Sequence, residues 1–294
     1  MTGFETIQAR AISLVEKTLD ELLSLPDGPE ARVVEAMRYA ALGGGKRFRP
    51  FLSVAVADLL GAPLEAVGRA AAAIECVHCY SLIHDDLPVM DDDDMRRGKP
   101  SLHRAFDEAT AILAGDALLT LAFEVLTDTA THENADIRLE LIGGLARAAG
   151  MQGMVGGQTI DMLSPDMQLD AGGLTRLQKM KTGALIGFAV DAGALMGRAR
   201  AEQRHALTNY AHDIGLAFQI ADDVLDVTGG DEIGKSPGKD MRQNKVTFAT
   251  LLGVERAEEQ ARQLVTQAIN HLDIFGPDAD PLRQAAEFVI SRKA

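Results

Sequence analysis

Two clusters of aspartate hold the densest potential for chemistry in this chain. The first is Asp85-Asp86-Leu87-Pro88-Val89-Met90-Asp91, extended by Asp92, Asp93 and Asp94; the second is Asp222-Asp223-Val224-Leu225-Asp226. Each follows an apolar stretch of helical composition, Tyr80-Ser81-Leu82-Ile83 and Leu216-Ala217-Phe218-Gln219-Ile220. On a helix, Gln219, Asp222 and Asp226 stand at i, i+3 and i+7 and share one face. Carboxylates crowded in this way repel one another unless a cation sits among them. An all-oxygen donor set suits Mg²⁺, which keeps several waters and completes its shell with substrate phosphates. Asp85 and Asp91 would lie about 240° apart on an unbroken helix, so the backbone must change course between them, and Pro88 supplies the interruption. His78 stands two turns before Asp85 on the same face. An acidic run alone reads better as a solvated surface than as a metal site. The EF-hand pattern fails, because Met95 falls where a third ligand belongs and the turn glycine is missing.

Basic residues beside each cluster shift that balance. Arg96 and Arg97 follow the first directly, and Lys235, Lys239 and Lys245 follow the second. Carboxylates for a metal, with guanidinium and ammonium groups next to them, suit a metal-bound diphosphate. A third basic segment precedes both: Gly43-Gly44-Gly45-Lys46-Arg47-Phe48-Arg49-Pro50. It is no Walker A loop, since position 40 is Ala and Arg47 stands where Ser or Thr is needed. It reads either as a plain interhelical turn or as a loop letting Lys46 and Arg49 reach an anion without metal. Lys181-Thr182-Gly183 matches one motif of penicillin-recognising enzymes, but the required Ser-x-x-Lys falls after it and no Ser-Asp-Asn exists. Cys76 and Cys79 form a lone CxxC with no second pair, so buried helix thiols in a reducing cytosol are the expectation.

These residues need rigid carriers, and the punctuation of the chain says what those are. Turn signals fall at Pro26-Asp27-Gly28-Pro29, Gly61-Ala62-Pro63, Gly98-Lys99-Pro100, Ser164-Pro165-Asp166, Gly229-Gly230 and Gly276-Pro277. Between them run Ala/Leu/Met-rich stretches with helical periodicity, clearest at Leu64 to Asp85, Ala135 to Met162, Leu174 to Met196 and Ala201 to Val227. No stretch alternates convincingly with period two. The expectation is all-α: one domain over residues 1–294, a bundle of about ten or more helices. Glycines at 150, 153, 156 and 157 recur along one face of a predicted helix, where close packing must offset their helix cost of roughly 1 kcal/mol each.

Composition bounds the partners. A hydrophobic content of 47% supports a large core, and a net charge of −14 with 4% aromatics argues against a nucleic-acid partner. The charge-free run Ala148 to Ile160 is too short to span a bilayer, and the N-terminus carries Glu5, Arg10, Glu16, Lys17 and Asp20 where a signal peptide needs an apolar core. No membrane span and a cytoplasmic location are expected.

Taken in order, the glycine-rich basic segment, His84-Asp85-Asp86-Leu87-Pro88 with Asp91 to Gly98, Lys181-Thr182-Gly183, and Phe218-Gln219-Ile220-Ala221-Asp222-Asp223-Val224-Leu225-Asp226 resemble the trans-isoprenyl diphosphate synthase family. The two extra residues between Asp86 and Asp91 resemble its bacterial short-chain members, and no functional position of the pattern is replaced. The resemblance implies a helical bundle around a central cavity, a homodimer, and head-to-tail condensation of isopentenyl diphosphate with dimethylallyl and then geranyl diphosphate to give farnesyl diphosphate. It implies that Asp85, Asp86, Asp91, Asp222, Asp223 and Asp226 gather Mg²⁺, three ions with substrate bound, around the allylic diphosphate. Asp85 and Asp222 count with Lys181, Thr182 and Gln219 as catalytic. Arg96, Lys181, Lys235 and Lys245 would bind that same diphosphate, while Lys46, Arg49, His78 and Arg97 would hold isopentenyl diphosphate. Thr182 and Gln219 would lie by the allylic cation, with Lys181 giving its carbonyl as well as its charge. Tyr80, about 7.5 Å down the helix from Asp85, would floor the chain-length cavity beside Ser81. Still open are a geranylgeranyl product, a terpene cyclase, against which the intact second motif argues, and a non-catalytic acidic metal-binding protein.

Overall fold

The computed structural model describes residues 3–167, 169–228 and 246–291, and helices dominate them. They run α1 Gly3–Leu22, α2 Ala31–Ala41, α3 Phe48–Leu59, α4 Leu64–Asp85, α5 Leu102–Ala105, α6 Glu108–Thr127, α7 Ala135–Ala149, α8 Met154–Leu163, α9 Ala171–Gln178, α10 Ala184–Met196, α11 Ala201–Thr228, α12 Phe248–Leu252, α13 Val254–His271 and α14 Asp280–Ser291. A two-residue hairpin, β1 Met95–Arg96 with β2 Lys99–Pro100, is the only sheet among the described residues. Its tight turn puts Arg97 at φ 53° and Gly98 at φ 74°, and the glycine takes that conformation without steric cost.

Helix α4 is the axis. Its alanines 70–73, Ile74, Cys76 and Val77 are fully or almost fully buried. Small side chains let α3, α6 and α1 close around α4, so it is apolar on all sides as an internal helix must be. Glu75, buried at its centre, is the exception. The peripheral helices carry one buried stripe each: Phe4, Ala11, Val15 and Leu19 on α1, and Ala257, Ala261, Val265 and Ala268 on α13. Side-chain caps start several helices. Asp107 accepts from the Thr110 amide, Asp170 from that of Gly173, and Thr247 and Thr250 form a reciprocal capping box on α12.

The expected all-α class holds, with two corrections to element continuity. The run Ala135 to Met162 is two helices: α7 ends with Gly150 as its C-cap, and Gly153 is the N-cap of α8. A Cβ on Gly153 would fall 2.1 Å from the Ala148 carbonyl oxygen, so the chain folds back on itself there. The run Leu174 to Met196 is continuous but carries a π-helical turn, Lys179–Gly183, between α9 and α10. The Cys76 and Cys79 thiols are free and buried, and burial pushes Cys79 up to about 12. Among the described residues one helix, α6, is long and apolar enough to cross a bilayer by length and composition.

Candidate active site

The first acidic motif is shaped by the end of α4. The helix stops at Asp85, and the chain then wraps backward: the Asp91 amide donates to the Asp85 carbonyl (2.8 Å), Asp92 to Leu87 (3.1 Å) and Asp93 to Asp86 (3.2 Å). This curl, with Pro88 exposed at its outer edge, returns Asp91 to the neighbourhood of Asp85 as the spacing requires. Burial raises the Asp85 carboxyl to about 6; the neighbouring Asp91 and Asp86 carboxylates push the same way, while Lys181 and Arg96 oppose them. Asp86 is held differently. It is buried, and the Arg96 guanidinium donates to both its oxygens, each 3.1 Å from Nε, with Asp93 3.5 Å from the same guanidinium. Two residues that the resemblance assigns separately, one to metal and one to diphosphate, are thus an ion pair with each other here.

The second motif lies at the C-terminal end of α11. Asp222 is exposed and Asp226 half-buried, on the face that also carries Gln219. Asp223 is buried, and its Oδ2 accepts from the Phe248 amide (2.7 Å), tying α11 to the start of α12. Asp222, Asp226, Asp85 and Asp91 all keep some solvent exposure, whereas Asp223 is buried and has an anchoring duty. An all-oxygen set in which the Asp91 and Asp86 carboxylates add to the burial that raises Asp85 fits Mg²⁺. No group of three His, Cys, Asp or Glu among the described residues closes into a ready cage, so substrate oxygens and water would complete the shell.

Beside these carboxylates lies a cavity of about 470 Å³ between the loop before α3, the middle of α4 and the hairpin. Lys46, Arg49, His78 and Arg97 all line it, so the structure brings together the four residues expected around isopentenyl diphosphate. Burial lowers the Arg49 guanidinium from its ordinary value, while Glu75 and Asp222 favour its charge, and its Nε is buried with no partner among the described residues. Burial, then the surrounding arginines, holds the His78 imidazole well below its usual range, leaving it neutral at pH 7. Arg97 reaches across the cavity mouth to the Gly44 carbonyl.

Two residues of this cavity are given no site role by the sequence motifs. Arg47, in the left-handed region at φ 45°, turns its side chain inward, donating 2.6 Å to Glu75 Oε1 and 2.5 Å to the Ala41 carbonyl. It is a strut under the loop, and Glu75 is its counter-ion. Phe218 stacks on Phe48 with centroids 5.5 Å apart and forms an apolar wall.

The Lys181-Thr182-Gly183 segment is the π-helical turn. Thr182 is buried, and Lys181 Nζ lies 2.7 Å from Asp161 Oδ2. Gly183 meets Gly215 of α11, one turn before Gln219, so this segment and the second motif share one packing contact. Lower on α4, Tyr80 is buried edge-on to His84 (5.7 Å, 76°), and Ser81 donates to the His78 carbonyl. Burial, with Asp85 assisting, pushes the Tyr80 phenol up to about 12. Lys235 and Lys245 lie outside the described residues.

The polyprenyl synthetase family model matches residues 30–274. The farnesyl diphosphate synthase of Haemophilus influenzae is 47% identical over 267 residues, covering 90% of each chain. The geranylgeranyl diphosphate synthase of Cyanophora paradoxa is 42% identical over 95% of this chain and 93% of its own. Among solved structures, an FPP/GFPP synthase from Zymomonas mobilis superposes with a TM-score of 0.89 at 49% identity, covering 98% of this chain and 99% of that one. A geranyltransferase from Helicobacter pylori, complexed with magnesium and isoprenyl diphosphate, superposes with a TM-score of 0.84 at 33% identity, covering 99% and 97%. The motifs, their convergence on one end of the bundle and these similarities agree: the chain belongs to the polyprenyl synthetase family.

Proposed function

We propose that this prenyltransferase condenses isopentenyl diphosphate with dimethylallyl and then geranyl diphosphate, releasing farnesyl diphosphate. The observation that carries the reading is the pairing of a basic cavity with an open acidic site beside it. Lys46, Arg49, His78 and Arg97 offer a diphosphate three cations and a neutral imidazole donor, with no metal needed. Asp85, Asp91, Asp222 and Asp226 would hold Mg²⁺, three ions in the loaded state, with Asp86 and Asp223 acting from behind. Bound there, Mg²⁺ supplies Lewis-acid stabilisation of the departing diphosphate. The residues do the rest. Lys181 and Arg96, with Lys235 and Lys245, take the allylic diphosphate oxygens. Thr182, Gln219 and the Lys181 carbonyl face the allylic carbon as its C1–O bond breaks and positive charge develops. The cavity holds the isopentenyl double bond against C1, so the new C–C bond forms by proximity. The proton leaves the adjacent carbon for the diphosphate just released, which needs no side-chain base. Phe48 and Phe218 keep water from the cation.

Tyr80, beside Ser81, is the floor that stops growth at fifteen carbons. The whole chain, 1–294, acts as one domain. The exposed apolar residues of α6, Ile112 at 45% and Leu113 at 54% accessible, support a homodimer rather than a bilayer span, because the other face of α6 is buried against α4. Incubation with Mg²⁺, labelled isopentenyl diphosphate and each allylic diphosphate, followed by product sizing, tests the reading. A fifteen-carbon product supports it, a twenty-carbon product moves the floor, and no condensation overturns it.

A further inference from the structure

We infer that Asp161 is a positioning residue for prenyl transfer, holding the Lys181 ammonium in place, and that the glycine-rich start of α8 exists to let it do so. The inference rests on the assignment of Lys181 to the allylic diphosphate. Asp161 is buried, and its Oδ2 lies 2.7 Å from Lys181 Nζ, within the range of a charge-assisted hydrogen bond. Lys181 is only partly exposed, and its charge is close enough to act on the Asp85 carboxyl as well as on Asp161. A long lysine side chain carries about 2 kcal/mol of rotamer entropy. Fixing one end of its reach before substrate arrives removes part of that loss from the binding step.

The backbone of α8 makes the grip possible. Gly157 stands one turn before Asp161 on the same helix face. A Cβ there would lie 2.2 Å from the Lys181 backbone nitrogen and 2.5 Å from its Cα. Only glycine lets α8 approach the π-helical turn closely enough for an aspartate side chain to meet Nζ. The same closeness explains the turn itself: the extra residue of a π turn lets the chain bulge between α8 and α11, where Gly215 accommodates Gly183. Gly157 is thus the seat of the lysine, and Asp161 is its latch.

Steady-state kinetics of the full chain with Mg²⁺ test this by a double-mutant cycle. Asp161→Asn should lower kcat/KM for the allylic diphosphate at least tenfold while leaving KM for isopentenyl diphosphate within twofold. Introduced into a Lys181→Ala background, the same change should cost nothing further, because its target is gone. Losses that multiply in the double variant would overturn the inference and leave Lys181 in place. Wild-type kinetics for Lys181→Ala would overturn the Lys181 assignment beneath it. Against an unfolded variant, Asp161→Glu and Asp161→Gln match in size and differ in charge; Glu should exceed Gln at least tenfold in allylic kcat/KM, and equality would also overturn it.

Discussion

The two diphosphate sites are built on opposite plans. The basic cavity is wired before any ligand arrives: Arg47 is locked between Glu75 and the Ala41 carbonyl, Arg97 is fixed to Gly44, and His78 is held neutral in the middle of α4. The acidic site is left open, with Asp222 exposed and Asp85 pushed toward neutrality by burial and like charge. The difference follows from what completes each site. A cavity with no metal must present its donors already oriented. A metal site gathers carboxylates whose mutual repulsion the cation then relieves.

The contrast is broken most severely at the open carboxylates. Asp85→Asn and Asp222→Asn should each lower kcat by a factor on the order of 10³ or more, since charge stabilisation of the leaving group goes with them. Circular dichroism should show unchanged helix content; lost helicity would make those residues structural. Next comes Glu75→Gln. Breaking a fully buried ion pair from one side costs about 3–5 kcal/mol, so thermal unfolding should drop by many degrees. An unchanged midpoint would show that Arg47 finds another partner. Arg49→Ala should raise KM for isopentenyl diphosphate by about 10–100-fold, the value of a charge-assisted contact, with KM for the allylic substrate little changed. Equal effects on both substrates would dissolve the distinction between the sites. Tyr80→Ala should shift product from fifteen toward twenty carbons with the first condensation nearly intact; a product still of fifteen carbons would place the floor elsewhere.

The fold and the site were legible to different depths. Helix α4 runs over the residues its periodicity indicates, Leu64–Asp85, because alanine and isoleucine repeat without a breaker until the Asp85-Asp86 end. The face shared by Gln219, Asp222 and Asp226 likewise follows from helical spacing alone. The Arg47–Glu75 and Lys181–Asp161 pairs join residues 28 and 20 positions apart on different elements, and no local pattern encodes such a contact. Arg47 was visible only as a mismatch to a phosphate loop. A buried charge inside an alanine-rich helix, Glu75 among Ala70 to Ala73 and Val77, is the signal that would have marked its partner. The π turn and the break between α7 and α8 escape for one shared reason: both are set by glycine-mediated backbone contacts, which propensity scales register only as a cost. The dual role of Asp223 is similar, since its bond to the Phe248 amide is a tertiary event.

The most direct test of the two-plan account is equilibrium binding of each substrate alone, with Mg²⁺ and again with EDTA. Isopentenyl diphosphate should bind with an affinity that changes less than threefold when the metal is removed, because Lys46, Arg49, His78 and Arg97 are already in place. Geranyl diphosphate should lose at least tenfold, because its carboxylate-lined site repels it without a cation. Equal metal dependence for the two ligands would contradict the account.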